Sequence, residues 1–170
     1  MSGTFLAKSG FPKLLLGITG DIVYNTSMSI LDIVLDTNVV ISALRSRKGA
    51  SYKLLSLVGT DQFEIHDSVP LVLEYEDVMQ RYREELGLSK EDASIFIDSL
   101  CSMAQHHKIY FLWRPFLSDT NDELVLELAV AAKCAYIVTH NIRDFRGSEK
   151  FGIQAITPKE FLQIIGEVKE

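Results

Sequence analysis

Two kinds of hydrophobic pattern alternate along the chain from residue 31 almost to its last residues. Short runs of consecutive apolar residues are typical of buried parallel strands, and apolar residues spaced three or four apart are typical of helices with one buried face. The runs predict five strands, at residues 33–35, 63–66, 109–112, 135–138 and 153–156. The spaced positions predict helices at residues 38–44, 51–58, 68–87, 89–104, 120–132 and 157–165. Because strands alternate with helices, the expected fold class is α/β, a three-layer α/β/α sandwich with a mainly parallel sheet of about five strands.

Residues at the predicted helix ends support this division. Gly87 is expected to end the long third helix, and Ser89 is expected to cap the next one. In a capping box, an N-cap hydroxyl and a carboxylate three residues later each accept a backbone N–H of the other residue. Two pairs have this spacing: Thr120 with Glu123, and Thr157 with Glu160.

Length and composition are those of one globular domain. The chain has 170 residues, of which 47% are hydrophobic and 24% charged. Residues 1–27 precede the alternating pattern and are expected to be a non-essential extension of unknown role, so the domain is expected to span residues 28–170. Cys101 and Cys134 lie among apolar residues, as is typical of reduced thiols in a cytoplasmic protein. No apolar run is long enough to span a bilayer, so no membrane partner is expected.

Polar residues follow the predicted strands where the next helix begins. Asp36 ends the first strand, and ligands of open parallel sheets bind outside the carboxyl ends of the strands. Three later segments place further polar residues at this edge: Glu74, Asp119, Asp122, Thr139, Asn141 and Asp144. Such oxygen ligands suit Mg²⁺ or Mn²⁺, which activate water and stabilise a phosphodiester under in-line attack. The net charge of −6 argues against a broad basic nucleic-acid surface, but acids screened by metal ions are compatible with a nucleic-acid substrate.

Four short motifs occur in an order that a known family shares. They are Leu35-Asp36-Thr37-Asn38-Val39, Glu74-Tyr75, Asp119-Thr120-Asn121-Asp122, and Ile137-Val138-Thr139-His140-Asn141 with Asp144-Phe145. On these motifs, residues 31–165 resemble the PIN-domain nucleases, in particular the toxin components of bacterial and archaeal toxin–antitoxin pairs. The resemblance implies a metal-dependent endoribonuclease acting on single-stranded RNA, a small parallel sheet between helix layers, a homodimer, and inhibition by a cognate antitoxin.

The resemblance also implies roles for individual residues. Three acids match the metal-binding positions of the family: Asp36, Glu74 and Asp122. At the fourth position relatives often have Asp where this chain has Asn141, and Asp144 follows three residues later, so which of the two completes the site stays open. Asn38 and Thr139 match small polar positions that line the pocket. No side chain stands out as a general base, so water activated by Mg²⁺ or Mn²⁺ is expected to fill that role.

The acids also have simpler structural explanations. Asp36 is at a position where Asp often caps a helix, and Asp122 would favour the positive end of its helix. Asp144 is equally well explained as a turn residue before Phe145. The helical period barely separates Glu74 from Glu76, so the choice of Glu74 depends on its earlier position and on the family match.

Basic residues and histidines near the predicted pocket are weaker candidates. Arg45 belongs to a basic cluster near the first motif and is predicted to contact the RNA backbone, although an exposed charged loop is a common alternative. His140 lies next to the pocket and is interpreted as a turn residue in preference to a phosphate ligand. His106 and His107 are interpreted as a solvated pair before the third strand.

Other nucleotide-binding and phosphate-binding classes fit poorly. The first strand is not followed by G-x-G-x-x-G, and G-K-[ST] does not occur, which excludes a dinucleotide-binding domain and a P-loop NTPase. Aspartyl-phosphate enzymes also place an Asp after the first strand, but they need a second Asp or a late Lys near it. The serious alternative is a non-catalytic RNA- or protein-binding module on the same fold, and the uncharged Asn141 is its best support.

Overall fold

The computed structural model describes residues 30–110 and 116–169 of the protein. The predicted extension at 1–27 lies outside these ranges, as do residues 111–112 of the predicted third strand. The strands are β1 (Leu31–Leu35), β2 (Phe63–Ser68), β3 (Gln105–His107), β4 (Tyr136–Val138) and β5 (Gln154–Ile156). The helices are α1 (Thr37–Arg45), α2 (Ala50–Leu55), α3 (Val69–Tyr82), α4 (Lys90–Ser102), α5 (Thr120–Ala131) and α6 (Pro158–Ile164). Two short 3₁₀ helices, Ile142–Phe145 and Ser148–Phe151, lie between β4 and β5.

The strands form a parallel sheet in the order β3-β2-β1-β4-β5. Ile33 of β1 is in register with Ile65 of β2 on one side and with Tyr136 of β4 on the other. Strands β2 and β3 are added on one side of β1, and β4 and β5 are added on its other side. The strand order therefore reverses between β1 and β4, and ligands of open α/β sheets bind beyond the carboxyl ends of the strands at such a point.

Both faces of the sheet are covered. Ile33 and Val34 are consecutive in β1, so their side chains point to opposite faces, and both are fully buried. Val39 of α1, Leu128 of α5 and Phe161 of α6 are also fully buried. The predicted α/β fold with a five-stranded parallel sheet between helices is confirmed.

Two of the predicted helix ends, at Ser89 and Thr157, are confirmed, and the predicted end of the long third helix is wrong. The capping boxes at Ser89 of α4 and Thr157 of α6 are both formed. Helix α3, however, ends at Tyr82 and not at Gly87. Residues 83–87 form turns, and Gly87 has a φ of +66°, a conformation that glycine adopts without strain. Gly87 therefore ends the turn after the helix.

The third strand is not where the hydrophobic pattern placed it. Strand β3 is Gln105–His107, and the described residues of the predicted strand, Ile109 and Tyr110, lie outside it. His106 and His107 of β3 are in register with Asp67 and Ser68 of β2. The pair is therefore part of the sheet and does not precede the strand; His106 is exposed, as expected of a solvated residue, whereas His107 is half-buried.

Two features expected from composition can be compared with the described residues. Cys101 and Cys134 are free thiols, and burial raises their pKa values to about 11 and about 12, so both stay protonated at neutral pH. Within residues 30–110 and 116–169, no helix has the length and apolar character needed to cross a membrane.

Candidate active site

Asp36 lies at the carboxyl end of β1, where the strand order reverses. Its backbone N–H donates to the carbonyl of Val138 in β4 (3.0 Å), which joins the ends of the two strands. Only 6% of the residue is exposed. Although Asp36 occupies the N-cap position of α1, its side chain makes no capping hydrogen bond. Burial raises the pKa of this carboxyl, but the backbone N–H groups of Asn38 and Thr37 act to lower it, so the start of α1 favours the charged form of this acid.

The Asp36 carboxylate is held by side chains from α1 and from the segment after β4. Asn38 Nδ2 and Thr139 Oγ1 each donate to Asp36 Oδ2 at 2.6 Å. Thr139 is fully buried, and its hydroxyl oxygen also accepts from the backbone N–H of Asn141 (2.9 Å). Asn38 Oδ1 accepts from the backbone N–H of His140 (3.1 Å). The predicted pocket-lining residues Asn38 and Thr139 thus fix the orientation of the first acid.

Glu74 reaches the same edge from α3. The hydroxyl of buried Tyr75 donates to the carbonyl of Leu35 at 2.5 Å, which ties this turn of α3 to the end of β1. Thr37 Oγ1 then donates to Glu74 Oε1 at 3.0 Å. Glu74 is half-buried, whereas Glu76 is exposed on another side of the helix. The structure therefore separates two glutamates that the sequence period barely distinguished.

The start of α5 supplies Asp119 and Asp122. Asp119 is the N-cap, and its side chain accepts from the backbone N–H of Asn121 (2.8 Å). Asp122 lies in the first turn and is half-buried. The predicted capping box between Thr120 and Glu123 is wrong, because Asp119 caps the helix.

Glu123 has a different role, which the sequence did not indicate. It is 2% exposed, and one of its carboxylate oxygens accepts the backbone N–H groups of both Phe116 and Leu117. These bonds hold the segment before α5 against the helix. Since a backbone N–H leaves no signal in the pattern of side chains, this contact could be found only in the folded chain.

The acids from these segments act on one another electrostatically. Burial is the largest cause of the raised pKa of Asp122, about 7, and the charges of Asp36, Asp119, Asp144 and Glu74 raise it further. Burial also raises the pKa of Asp36, against the hydrogen bond from Thr139. The pKa of Glu74 is raised first by burial and then by Asp36 and Asp119, while the hydrogen bond from Thr37 lowers it. The segments thus place several carboxylates close enough for each to oppose the ionisation of another.

Both candidates for the fourth position lie beyond β4 and are exposed. Asn141 donates its backbone N–H to Thr139, as described above. Asp144 belongs to the first 3₁₀ helix, and its charge contributes to the raised pKa of Asp122. Asp144 therefore supplies at this edge the negative charge that Asn141 lacks.

The donor set fits a divalent cation bound by oxygen. Within the described ranges, no three His, Cys, Asp or Glu side chains already stand in an arrangement that could hold a metal ion. One oxygen of the pocket is nevertheless available, because Glu74 Oε2 is buried and has no hydrogen-bond partner among the described residues. Carboxylates that raise one another's pKa values are stabilised by a cation between them, and Mg²⁺ and Mn²⁺ prefer such oxygen ligands.

Residues around the pocket differ in how far the sequence identified them. Thr37 was not predicted from the sequence to be a site residue. Its position directly after Asp36 is the only feature of the sequence that could have indicated its contact with Glu74. His140 shares a hydrogen bond of 2.8 Å with Ser51, a buried residue of α2. Arg45 pairs with Glu85 through two hydrogen bonds of 2.9 and 3.3 Å, so its guanidinium already has a carboxylate partner.

Comparison with solved structures identifies the fold. One match is a chain of VapBC2 from Rickettsia felis, solved bound to a DNA fragment from its promoter, with 17% identity, a TM-score of 0.54, and 74% of this chain and 98% of that chain covered. Another is a chain of VapBC-1 from nontypeable Haemophilus influenzae, solved at 2.2 Å, with 17% identity, a TM-score of 0.54, and 76% and 99% covered. No curated protein sequence matches significantly.

The family is identified by sequence. A match to the PIN domain family spans residues 32–143, which is well over half of the chain. The matched region contains Asp36, Glu74 and Asp122 and stops one residue before Asp144. The chain belongs to the PIN domain family.

Proposed function

We propose that the protein is a metal-dependent endoribonuclease that hydrolyses phosphodiester bonds of single-stranded RNA. The observation that carries the proposal is the meeting of acids at the carboxyl end of β1: Thr37, next to Asp36, donates to Glu74 at 3.0 Å, and Glu74 Oε2 is buried without a partner among the described residues. The raised pKa of Asp122, to which burial and then acids from three other segments contribute, agrees with this arrangement. Repulsion between carboxylates costs stability in a protein without a bound cation. A divalent cation offsets that cost, and the PIN domain family is a family of nucleases.

The proposed ligands of Mg²⁺ or Mn²⁺ are Asp36, Glu74, Asp122 and Asp144, with Asn141 as the alternative fourth group. A cation held there would activate water and stabilise negative charge on the phosphodiester. Thr139 and Asn38 orient the Asp36 carboxylate, and Thr37 orients Glu74. The burial of Asp36 limits competing water around the ligands.

The proposal extends to partners. We propose that the protein is the toxin of a toxin–antitoxin pair, forms a homodimer and acts in the cytoplasm. The support is that chains of two VapBC assemblies share its fold over most of their length. Contact between Arg45 and RNA stays a prediction, because its guanidinium already pairs with Glu85.

The test compares two conservative variants, one in β1 and one directly after it. Asp36→Asn keeps an oxygen that can accept from Asn38 and Thr139 but removes the charge, so we expect cleavage of fluorescent single-stranded RNA with Mn²⁺ to fall by on the order of 100-fold or more. Asp32→Asn is the matched control, because Asp32 contacts His66, away from the pocket. Control and unmodified protein should cleave alike, and chelation by EDTA should stop both.

Two results would oppose the proposal. Equal loss of cleavage in both variants, with intact thermal transitions, would show that the charge of Asp36 has no special role. RNA binding without cleavage by the folded, Mn²⁺-loaded protein would favour the alternative of a non-catalytic module on this fold.

A further inference from the structure

We propose that a cationic strip, formed by Arg143, Arg146 and Lys150, binds the phosphodiester backbone of single-stranded RNA beside the acidic pocket. This inference rests on the proposed function, because it takes the substrate to be RNA. It assigns the binding of the polyanion to the segment between β4 and β5, where no motif of the sequence had placed it.

The need for such a strip follows from charge. The protein has a net charge of −6, and the pocket collects carboxylates. RNA carries a phosphate at every nucleotide, so an acidic pocket repels the flanking phosphates even when a cation neutralises the one that reacts. Cationic side chains next to the pocket would offset this repulsion.

The strip lies at the pocket. The two 3₁₀ helices directly follow the carboxyl end of β4, and Asp144 lies in sequence between Arg143 and Arg146. The backbone N–H of Asp144 donates to the carbonyl of Asn141 (3.0 Å), and the N–H of Asn141 donates to the Thr139 hydroxyl that holds Asp36, so this segment is bonded to the residues that orient the first acid. Phe145 is 1% exposed and anchors the segment in the core.

The two arginines are exposed on this anchored turn. Arg143 lies in the first 3₁₀ helix, and Arg146 directly follows it with its backbone N–H bonded to the carbonyl of Arg143. Among residues 30–110 and 116–169, neither guanidinium has a carboxylate within ion-pair distance. Arg45 and Arg81, in contrast, pair with Glu85 and Asp77. Unpaired guanidinium groups are available for phosphate.

Phe116 fixes the third cation relative to α5. Lys150 Nζ lies 5.6 Å from the centroid of the Phe116 ring, and this ring packs edge-to-face on Phe151 (5.1 Å). Gly147 has a φ of +100°, and a Cβ there would lie 3.1 Å from the ring of Phe116. The backbone of Phe116 is in turn held by Glu123 of α5. The strip and the helix that carries Asp122 are therefore one packed unit.

The experiment measures RNA binding by the full chain, without relying on cleavage. In the Asp36→Asn background with Mn²⁺, fluorescence anisotropy of a short fluorescein-labelled single-stranded RNA is recorded over a range of salt concentrations. Combining Arg143→Gln, Arg146→Gln and Lys150→Gln should weaken binding about 10-fold or more at low salt. It should also reduce the slope of log K against log salt by about 2, since each phosphate contact on a single strand contributes about 0.7.

Lys133→Gln is the matched control. Lys133 is exposed after α5, just before β4 begins, and so lies at the opposite edge of the sheet. The Lys133→Gln substitution removes a positive charge without changing the strip, so we expect RNA affinity within about twofold of the parent and an unchanged salt slope. Thermal melting of all variants checks that the fold is intact.

The outcomes separate this inference from the proposed function. The proposed role of the strip in RNA binding would be contradicted if the triple variant had the same salt slope as its parent, or if the parent did not bind RNA. An unchanged slope is also the result expected if the ligand of the strip is an acidic protein partner and not RNA. Loss of binding in the triple variant, with no cleavage by the unmodified protein, would keep the strip and refute the nuclease. Cleavage by the unmodified protein, together with an unchanged salt slope in the triple variant, would support the nuclease and refute the strip.

Discussion

Two clusters of titratable side chains lie on the same sheet, and they differ in what surrounds their carboxylates. The acidic pocket contains Asp36, Glu74, Asp119, Asp122 and Asp144, at the carboxyl ends of the strands. The histidine cluster lies across β1, β2 and β3 and contains Asp32, His66, Asp67, His106 and His107. Both include buried polar groups, so burial alone does not distinguish a functional site from a structural one.

The histidine cluster pairs its carboxylates with imidazoles. His66 Nε2 bonds to Asp32 Oδ1 at 2.8 Å, and His66 Nδ1 shares a hydrogen bond of 2.7 Å with His107 Nε2. His106 Nδ1 bonds to Asp67 Oδ1 at 2.5 Å. Each histidine thus has a partner within the cluster, and these contacts join the edge strand β3 to the sheet.

In the acidic pocket the neighbours of each carboxylate include other carboxylates, and its hydrogen-bond donors are neutral. Thr139, Asn38 and Thr37 orient the acids without neutralising them. Carboxylates that oppose one another's ionisation cost stability and favour the binding of a cation, whereas Asp32 and Asp67 of the histidine cluster each have an imidazole as hydrogen-bond partner, and these bonds serve the fold. The following predictions test this difference.

Added metal should give the largest effect. In protein stripped of metal by EDTA, saturating Mn²⁺ should raise the unfolding free energy by about 2.7 kcal/mol once free Mn²⁺ is about 100-fold above its Kd. Thermal melting measures the rise. Glu74→Gln should remove most of it, while Glu76→Gln, a change at an exposed position of the same helix, should not. An equal rise in both variants would show that the cation binds elsewhere.

Breaking the histidine cluster should have the next largest effect, with the opposite sign. His66→Ala removes a buried ring and both of its hydrogen bonds, so unfolding free energy should fall by about 2 kcal/mol, as measured by urea denaturation. RNA cleavage at a temperature where the variant is folded should not change. Gln105→Ala, at an exposed position of β3, should cost less than about 0.5 kcal/mol. Equal losses in the two variants would contradict a structural role for the cluster.

The contrast also explains how much the sequence could predict. Asp36 was placed correctly because an apolar run followed by a polar residue is a local signal for the end of a buried strand. The helix caps at Ser89 and Thr157 are equally local and were predicted. The resemblance to PIN domains named Glu74 and Asp122 because the motifs keep their order along the chain. Each of these features is written within a few consecutive residues.

The third strand was mispredicted because its pairing depends on partners far away in the sequence. Strand β3 is polar, and its residues join the sheet because His66 and Asp67 of β2 offer hydrogen-bond partners to His107 and His106. The hydrophobic pattern instead favoured Ile109 and the apolar residues after it. Sequence patterns record the burial of apolar side chains well, but they do not record which polar groups will meet.

The two clusters should also respond to pH in opposite directions. An unfolded Asp ionises near 3.8, whereas the pKa of folded Asp122 is about 7, so the folded protein binds the extra proton. Stability without metal should therefore fall as pH rises from about 4 to 7. The pKa of His107 is lowered from 6.5, first by burial and then by His66, so its contribution is lost as pH falls below 6.5.

Substitutions separate the two contributions in melts recorded in EDTA between about pH 4 and pH 8. Asp122→Asn should remove part of the decline with rising pH and stabilise the protein at pH 7 by about 1 kcal/mol, a value kept small because the half-buried group is screened by solvent. His107→Gln should remove the loss that occurs as pH falls. If Asp122→Asn left the pH profile unchanged, the acids would not be coupled in the way the pocket implies.

The smallest effect is expected at Arg45, where the distinction between paired and unpaired charge applies to cations. Its guanidinium pairs with Glu85 and lies 4.5 Å from the centroid of the Tyr82 ring, with both charged side chains largely exposed. Arg45→Gln should change the unfolding free energy by no more than about 0.5 kcal/mol, measured by urea denaturation. RNA affinity, measured by anisotropy, should stay within about twofold, because one salt-screened contact contributes little and this group is already neutralised. A salt slope reduced by about 0.7 would instead establish the RNA contact predicted for Arg45 from the sequence and would show that a paired cation can exchange its carboxylate for phosphate.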